Sequence, residues 1–157
     1  MLCGKIASGK SSLAARLGQG DGVVVISEDD WLSALFADQM TSGADFMRCS
    51  AKLREIMGPH VAALLKAGLS VVLDFQANTV ESRAWMRRIL DETGAAHQLH
   101  VLDVPDEVCL AQLHARNAGG AHAFAVTEAQ FHRFTKYYAP PTPEEGFDVV
   151  VYRSRGQ

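Results

Sequence analysis

Residues 4 to 11 read GKIASGKS, which puts Gly4, Gly9, Lys10 and Ser11 at the spacing G-x-x-x-x-G-K-[ST]. Glycines there let successive backbone N–H groups curl around a chain of phosphates, and a helix opening at the lysine aims its positive end at the same charge. The predicted chemistry is nucleotide binding. Gly4, Lys5, Ile6, Ala7, Ser8 and Gly9 form the cradle, Lys10 holds the outer phosphates, Ser11 ligates Mg2+, and Ser12 follows in the first turn. A clamp of this kind needs a second metal ligand, and SVVLD is an apolar strand ending in Asp74, the usual place for it. LHVLD ends likewise in Asp103, but VPDEV follows at once, so Asp103 is assigned to the turn into the next helix and Asp74 to the metal. A helix cap is the alternative role for such strand-end carboxylates.

The stretch VVVISEDDWLSALF carries Asp29 and Asp30 off the carboxyl end of a strand, where ligands collect in open parallel sheets. One of the two can accept a proton from a substrate hydroxyl while the other caps the helix. Asp29 is the candidate base and Asp30 the candidate cap, with the reverse assignment open. Arg116 precedes NAGGAHAF, a glycine-containing segment suited to hinge as a lid. A fixed guanidinium there would bridge the oxygens on which phosphoryl transfer spreads negative charge; the alternative is a solvent-facing arginine that favours its helix dipole. Asn78 and Glu81 have the spacing of a capping box.

These residues need a scaffold to hold them. The chain has 157 residues, 48% hydrophobic and 21% charged, which is one domain's worth of ordinary globular protein, residues 1–157. Short apolar runs at 23–26, 70–75, 99–104 and 147–152 are predicted strands. Helices are predicted from Lys10 to the glycines at 18 and 20, and over about 30–38, 44–67, 79–93, 105–116 and 127–138, the third kinked or restarted at Pro59. This alternation predicts a parallel sheet covered on both faces. Only MLC precedes the phosphate loop where about five strand residues normally run, so either the first strand is shortened or the native start lies upstream. YAPPTPEEG reads as a stiff proline loop leading into the last strand.

A net charge of -3 gives no electrostatic footprint for a long nucleic acid or an anionic membrane, which demotes nucleic acid without eliminating it. Cys3, Cys49 and Cys109 lie far apart, which disfavours disulfides and cysteine zinc sites and suits a reduced cytoplasm. The position of the loop at residue 4 leaves no signal peptide, and no apolar run approaches the roughly 20 residues of a membrane span. His97 and His100 fall on opposite faces of a strand and match no metal spacing, so packing or solvated roles are expected. Arg83, Arg87 and Arg88 are expected on one solvated basic helix face.

GKIASGKS, SEDDW, VVLDFQANT and LDVPDEVCLAQLHARN, in this order, resemble the P-loop kinases of the type that includes the 5'-kinase domain of bacteriophage polynucleotide kinase, chloramphenicol phosphotransferase and the zeta toxins. The resemblance implies an α/β three-layer P-loop NTPase sandwich with a parallel five-stranded sheet in the order 2-3-1-4-5. It implies ATP and Mg2+ on Lys10 and Ser11, Asp29 as base, Asp74 near the acceptor and the metal waters, and Arg116 as a lid arginine. Polynucleotide kinases are expected to carry an arginine three residues after the base and a further basic residue in the lid helix; Leu32 and Gln112 stand there instead. Leucine cannot pair with a nucleic-acid phosphate, so a small hydroxylated acceptor is favoured. Trp31, Phe36 and Phe46 are candidates to line its pocket, with core packing the alternative. The expected function is therefore an ATP-dependent kinase acting on a small-molecule hydroxyl. A polynucleotide 5'-kinase or toxin-type nucleotide-sugar kinase is the alternative within the class, and an ATP-hydrolysing switch working through a protein partner is the alternative outside it.

Overall fold

The strands are near-continuous apolar runs whose successive side chains point to opposite faces, so each strand can feed two cores. In the computed structural model, which describes residues 1–120 and 125–153, the chain runs β1 (Leu2–Gly4), α1 (Lys10–Leu17), β2 (Val23–Ser27), α2 (Glu28–Phe36), α3 (Gly43–Lys66), β3 (Ser70–Asp74), α4 (Val80–Thr93), β4 (Leu99–Asp103), α5 (Asp106–Ala118), α6 (Glu128–Thr135) and β5 (Val149–Arg153). Cys3, Leu73 and Val101 point to one side, into a core with Leu32 of α2, Leu53 and Met57 of α3, and Met86 and Ile89 of α4. Their neighbours Leu2, Val72 and Leu102 point to the other, against Leu13 and Ala14 of α1. This period-2 division gives helices on both faces of parallel strands. A third cluster, Cys109 and Leu113 with Phe131, packs α5 against α6.

Strand pairing is parallel throughout, but it forms two ladders, β2–β3 and β1–β4–β5, in place of the single sheet expected in the order 2-3-1-4-5. One parallel bridge between Leu2 and Gln76 joins them, with the Ala77 N–H donating to the Leu2 carbonyl at 3.2 Å. The physical reason is the length of β1. Its three residues span only about 10 Å and meet the chain just beyond the end of β3 instead of running beside it.

Several local expectations are corrected. The cap of α2 is Ser27, whose hydroxyl accepts from the Asp30 N–H at 3.3 Å, so the helix opens at Glu28 and Asp30 is not the cap. Thr79, not Asn78, caps α4 by accepting from the Ser82 N–H at 3.1 Å. Helix α3 runs through Pro59 without restarting. Arg83 is fully buried, not solvated, because it shares a helix face with Met86 and Leu90. Its guanidinium holds Glu145 at 2.6 and 3.0 Å and the carbonyls of Ala77 and Ala139 at 2.9 and 2.7 Å. These bonds offset the burial of its charge and tie α4 to the proline loop. Arg87 bonds Asp91 and the Gly146 carbonyl, while Arg88 is exposed.

His97 and His100 have packing roles. His100 is buried with Nδ1 3.0 Å from the Tyr152 hydroxyl, and His97 Nε2 accepts from the Asp148 N–H at 3.2 Å. All three cysteines are buried and free, and no described helix is long and apolar enough to cross a membrane.

Candidate functional site

The loop between β1 and α1 is shaped by its backbone. Gly9 has φ 99°, and Ala7 follows the same left-handed region at 58°. At Gly4 a Cβ would lie 2.6 Å from Ser8 Oγ and 3.2 Å from Leu102, so a side chain there would displace the turn. Gly4 is fixed from outside the loop. Its N–H donates to Asn78 Oδ1 and its carbonyl accepts from Asn78 Nδ2, both at 2.8 Å, so a side-chain amide does the work of a neighbouring strand. Lys10 Nζ donates to the carbonyls of Gly4 and Lys5 at 2.7 Å each, which folds it across the loop. Burial lowers the Lys10 pKa, against the pull of Asp74, Cys3 and Asp29.

The Lys5 side chain turns the other way, pairing with Asp106 and reaching the Val104 carbonyl at 3.3 Å, so only its backbone belongs to the cradle. Ser8 Oγ is buried with no partner, and Ser11 and Ser12 are exposed at the first turn of α1. The glycine-shaped turn and the helix start behind it fit a polyphosphate.

One cavity of about 510 Å³ joins this loop to the other candidate residues. Its wall includes Lys10 and Ser11, Asp29 at the start of α2, Asp74 at the end of β3 and Arg116 on α5. The Ser11 hydroxyl and the strand-end carboxylate of Asp74 come together in this wall. Burial raises the Asp74 pKa, opposed by the Ser11 hydroxyl and by Lys10. Two hard oxygen ligands suit Mg2+, which takes its remaining ligands from water and phosphate. No cluster of three or more His, Cys, Asp or Glu residues able to hold a metal exists among the described residues. Asp103 is exposed, with an oxygen 3.5 Å from Arg153 Nε, and lies outside this cavity.

Asp29 is half-buried, and its charge acts on both Lys10 and Arg116. Burial lowers the Arg116 pKa while Asp29 opposes the shift, and Arg116 Nε is buried without a partner. Of the proposed lid segment, residues 121–124 lie outside the described residues. On its two sides, Asn117 Nδ2 donates to the Val126 carbonyl at 2.8 Å.

The aromatic candidates separate. Phe46 lines the cavity, Phe36 packs on the core, and Trp31 is exposed outside the cavity wall. Leu32 is fully buried in the core, whereas Gln112 lines the cavity. Two contributors were missed in the sequence. One is Asn78, whose carbonyl also accepts from the Ala139 N–H at 2.9 Å. The other is Glu28, which lines the cavity beside Asp29 yet is only 2% exposed. The acidic run SEDD was the available signal, but it does not show which acid turns inward.

A phosphate loop between the first parallel strand and its helix, with the loop serine beside a strand-end aspartate, defines a P-loop nucleotide-binding fold. The family described as an AAA domain, AAA_33, matches residues 1–141, and the chain belongs to it. No curated protein matches the chain. Among solved structures, a "putative kinase" of Chloroflexus aurantiacus is similar at TM-score 0.71 and 19% identity, over 97% of this chain and 84% of that one. The Pnkp1/Rnl/Hen1 RNA repair complex contains a chain similar at TM-score 0.67 and 23% identity, over 87% of this chain and 42% of that one. The APS kinase CysC of Mycobacterium tuberculosis, solved with AMPPNP and APS, is similar at TM-score 0.57 and 26% identity, over 96% and 85%. With the family, these likenesses establish a P-loop kinase fold.

Proposed function

We propose that the protein is an ATP- and Mg2+-dependent kinase that moves the γ-phosphoryl group to a hydroxyl of a small molecule. The observation that carries this reading is the convergence of Lys10, the Ser11–Asp74 pair, Asp29 and Arg116 on one cavity. The loop backbone and Lys10 bind the phosphates, and Arg116 meets the charge that develops on the transferred group. Asp29 orients the acceptor hydroxyl and takes its proton as the oxygen bonds to phosphorus and the bond to the ADP oxygen breaks. Mg2+, held by Ser11 and Asp74, supplies neutralisation of the phosphate charge. The likeness to an APS kinase solved with AMPPNP and APS supports both nucleotide use and a small acceptor.

The acceptor end of the cavity supports an acceptor without a phosphate of its own. Met40 and Phe46 give it apolar wall and Ser42 and Gln76 polar groups, while the nearby Arg54 is committed to Glu28 and Ser82. Leu32, at the place of an expected phosphate-pairing arginine, is in the core. The buried free thiols suit a reduced cytoplasm as the compartment.

Screening hydroxylated metabolites and 5'-hydroxyl oligonucleotides for acceptor-dependent ADP release tests the reading. A phosphorylated small molecule is the expected product. Phosphorylated oligonucleotide ends would replace the acceptor class, and ADP release that responds only to a protein partner would replace the kinase with a switch.

A further inference from the structure

Glu28 is the one buried carboxylate among the described residues, and it stands next to the proposed base. Its Oε1 accepts from Ser50 Oγ at 2.5 Å and from Arg54 Nε at 3.2 Å, both on α3. Its Oε2 accepts from the backbone N–H of Gln76 at 3.4 Å, two residues past Asp74. Arg54 is held in turn: Nη1 donates to Ser82 Oγ at 3.1 Å on α4, and the guanidinium lies 5.4 Å from the Trp85 ring centroid. A buried ion pair of this kind is a poor stabiliser, since exchanging both partners for apolar residues is often neutral or favourable. What it supplies is direction. Successive helix residues point about 100° apart, so holding Glu28 against α3 turns Asp29 toward the cavity. The same carboxylate ties down the segment that follows Asp74.

We propose that Glu28 is a positioning residue, which sets Asp29 against the Ser11–Asp74 pair through its bonds to Ser50, Arg54 and Gln76. Its chemical consequence rests on the kinase reading, while its geometric consequence does not. The test is the double variant Glu28→Met with Arg54→Met, which removes both charges together. Thermal unfolding, ATP affinity, ADP release from ATP and Mg2+ with water as acceptor, and Mn2+-induced broadening of the Asp29 amide signal with ADP bound are measured. The expected result is an unchanged or raised Tm, unchanged ATP affinity, ADP release lower by roughly 10- to 100-fold, and weaker broadening at Asp29. A loss of rate that merely follows a loss of Tm, or unchanged rate and broadening, overturns the proposal. Should the double variant fail to fold, Glu28→Gln keeps the side-chain shape, removes the charge and is judged by the same rate and broadening. Absence of ADP release from the unmodified protein with water and with every acceptor screened counts against the kinase reading. The broadening at Asp29 then still decides the positioning.

Discussion

The phosphate-loop end of the cavity and its proposed acceptor end are built by different means. At the phosphate-loop end, eight consecutive residues supply the turn, the lysine and the Ser11 hydroxyl, and the geometry is largely backbone: Gly4 with no room for a Cβ, Gly9 at positive φ, Lys10 folded onto two loop carbonyls. At the acceptor end, placement comes from side chains on separate elements, with Glu28 of α2 joined to Ser50 and Arg54 of α3 and to Gln76 beyond β3. Backbone geometry tolerates few changes and holds its shape locally. A side-chain network can be dismantled at stable cost yet shift what it carries, so the acceptor end is where substitution changes chemistry without unfolding the protein.

The largest expected effect lies on the boundary between the two ends. Asp29→Asn keeps the shape of the side chain and removes its basicity, so transfer to the acceptor should fall by roughly 10²- to 10⁴-fold while ATP and Mg2+ still bind. A loose transition state that removes little proton early would place the loss at the lower end of that range. Equal losses in ATP binding and in rate, measured by calorimetry and ADP release, would move Asp29 to the nucleotide side of the comparison. Arg116→Ala comes next. Its contact strengthens as charge develops, so the rate should drop by about 10² with ground-state nucleotide affinity largely retained. A parallel loss of affinity would make Arg116 a binding residue only.

Asn78→Ala probes the phosphate-loop end directly. It leaves the N–H of the buried Gly4 without its acceptor, a cost of about 1–3 kcal/mol. At roughly 2–4 °C per kcal/mol for a domain of this size, Tm should fall by several degrees. ATP affinity should weaken with it, because the loop loses its outside anchor. If Tm falls and ATP affinity holds, the loop keeps its shape without that anchor, and the contrast between backbone and side-chain construction becomes sharper still.

The same contrast explains what was legible in the sequence. A phosphate loop is contiguous, so spacing alone exposed Gly4, Gly9, Lys10 and Ser11, and the short apolar runs exposed the strand that ends in Asp74 and the strand that leads into Asp29. Asn78 and Glu28 were not legible because their partners lie 74 residues away in one case and 22 to 48 in the other. Arg83 misled because three arginines look like a solvated face until Met86 and Leu90 show which side of α4 is inward. The split sheet was foreshadowed by the three residues of MLC, but the resemblance that gave the strand order carried no information on how far a short β1 would reach.

The smallest effect concerns the start of α2, where two acids and a serine compete for the same role. Ser27 accepts the Asp30 N–H, so Ser27→Ala should cost about 0.5–1 kcal/mol, the lower part of the usual range because the bond is exposed and 3.3 Å long. Asp30 is exposed in the first turn, where its charge favours the helix dipole, so Asp30→Asn should cost about 0.3 kcal/mol or slightly more at low salt, and less as salt is added. The two are separated by measuring Tm at low and high ionic strength: the Ser27 deficit persists and the Asp30 deficit shrinks. Loss of the cap also loosens the turn that carries Glu28 and Asp29, so Ser27→Ala should slow ADP release slightly while Asp30→Asn leaves it alone. If Asp30→Asn proves the more damaging to rate, the base is Asp30. The acceptor end is then organised one residue further along the helix than its cap and its buried glutamate indicate.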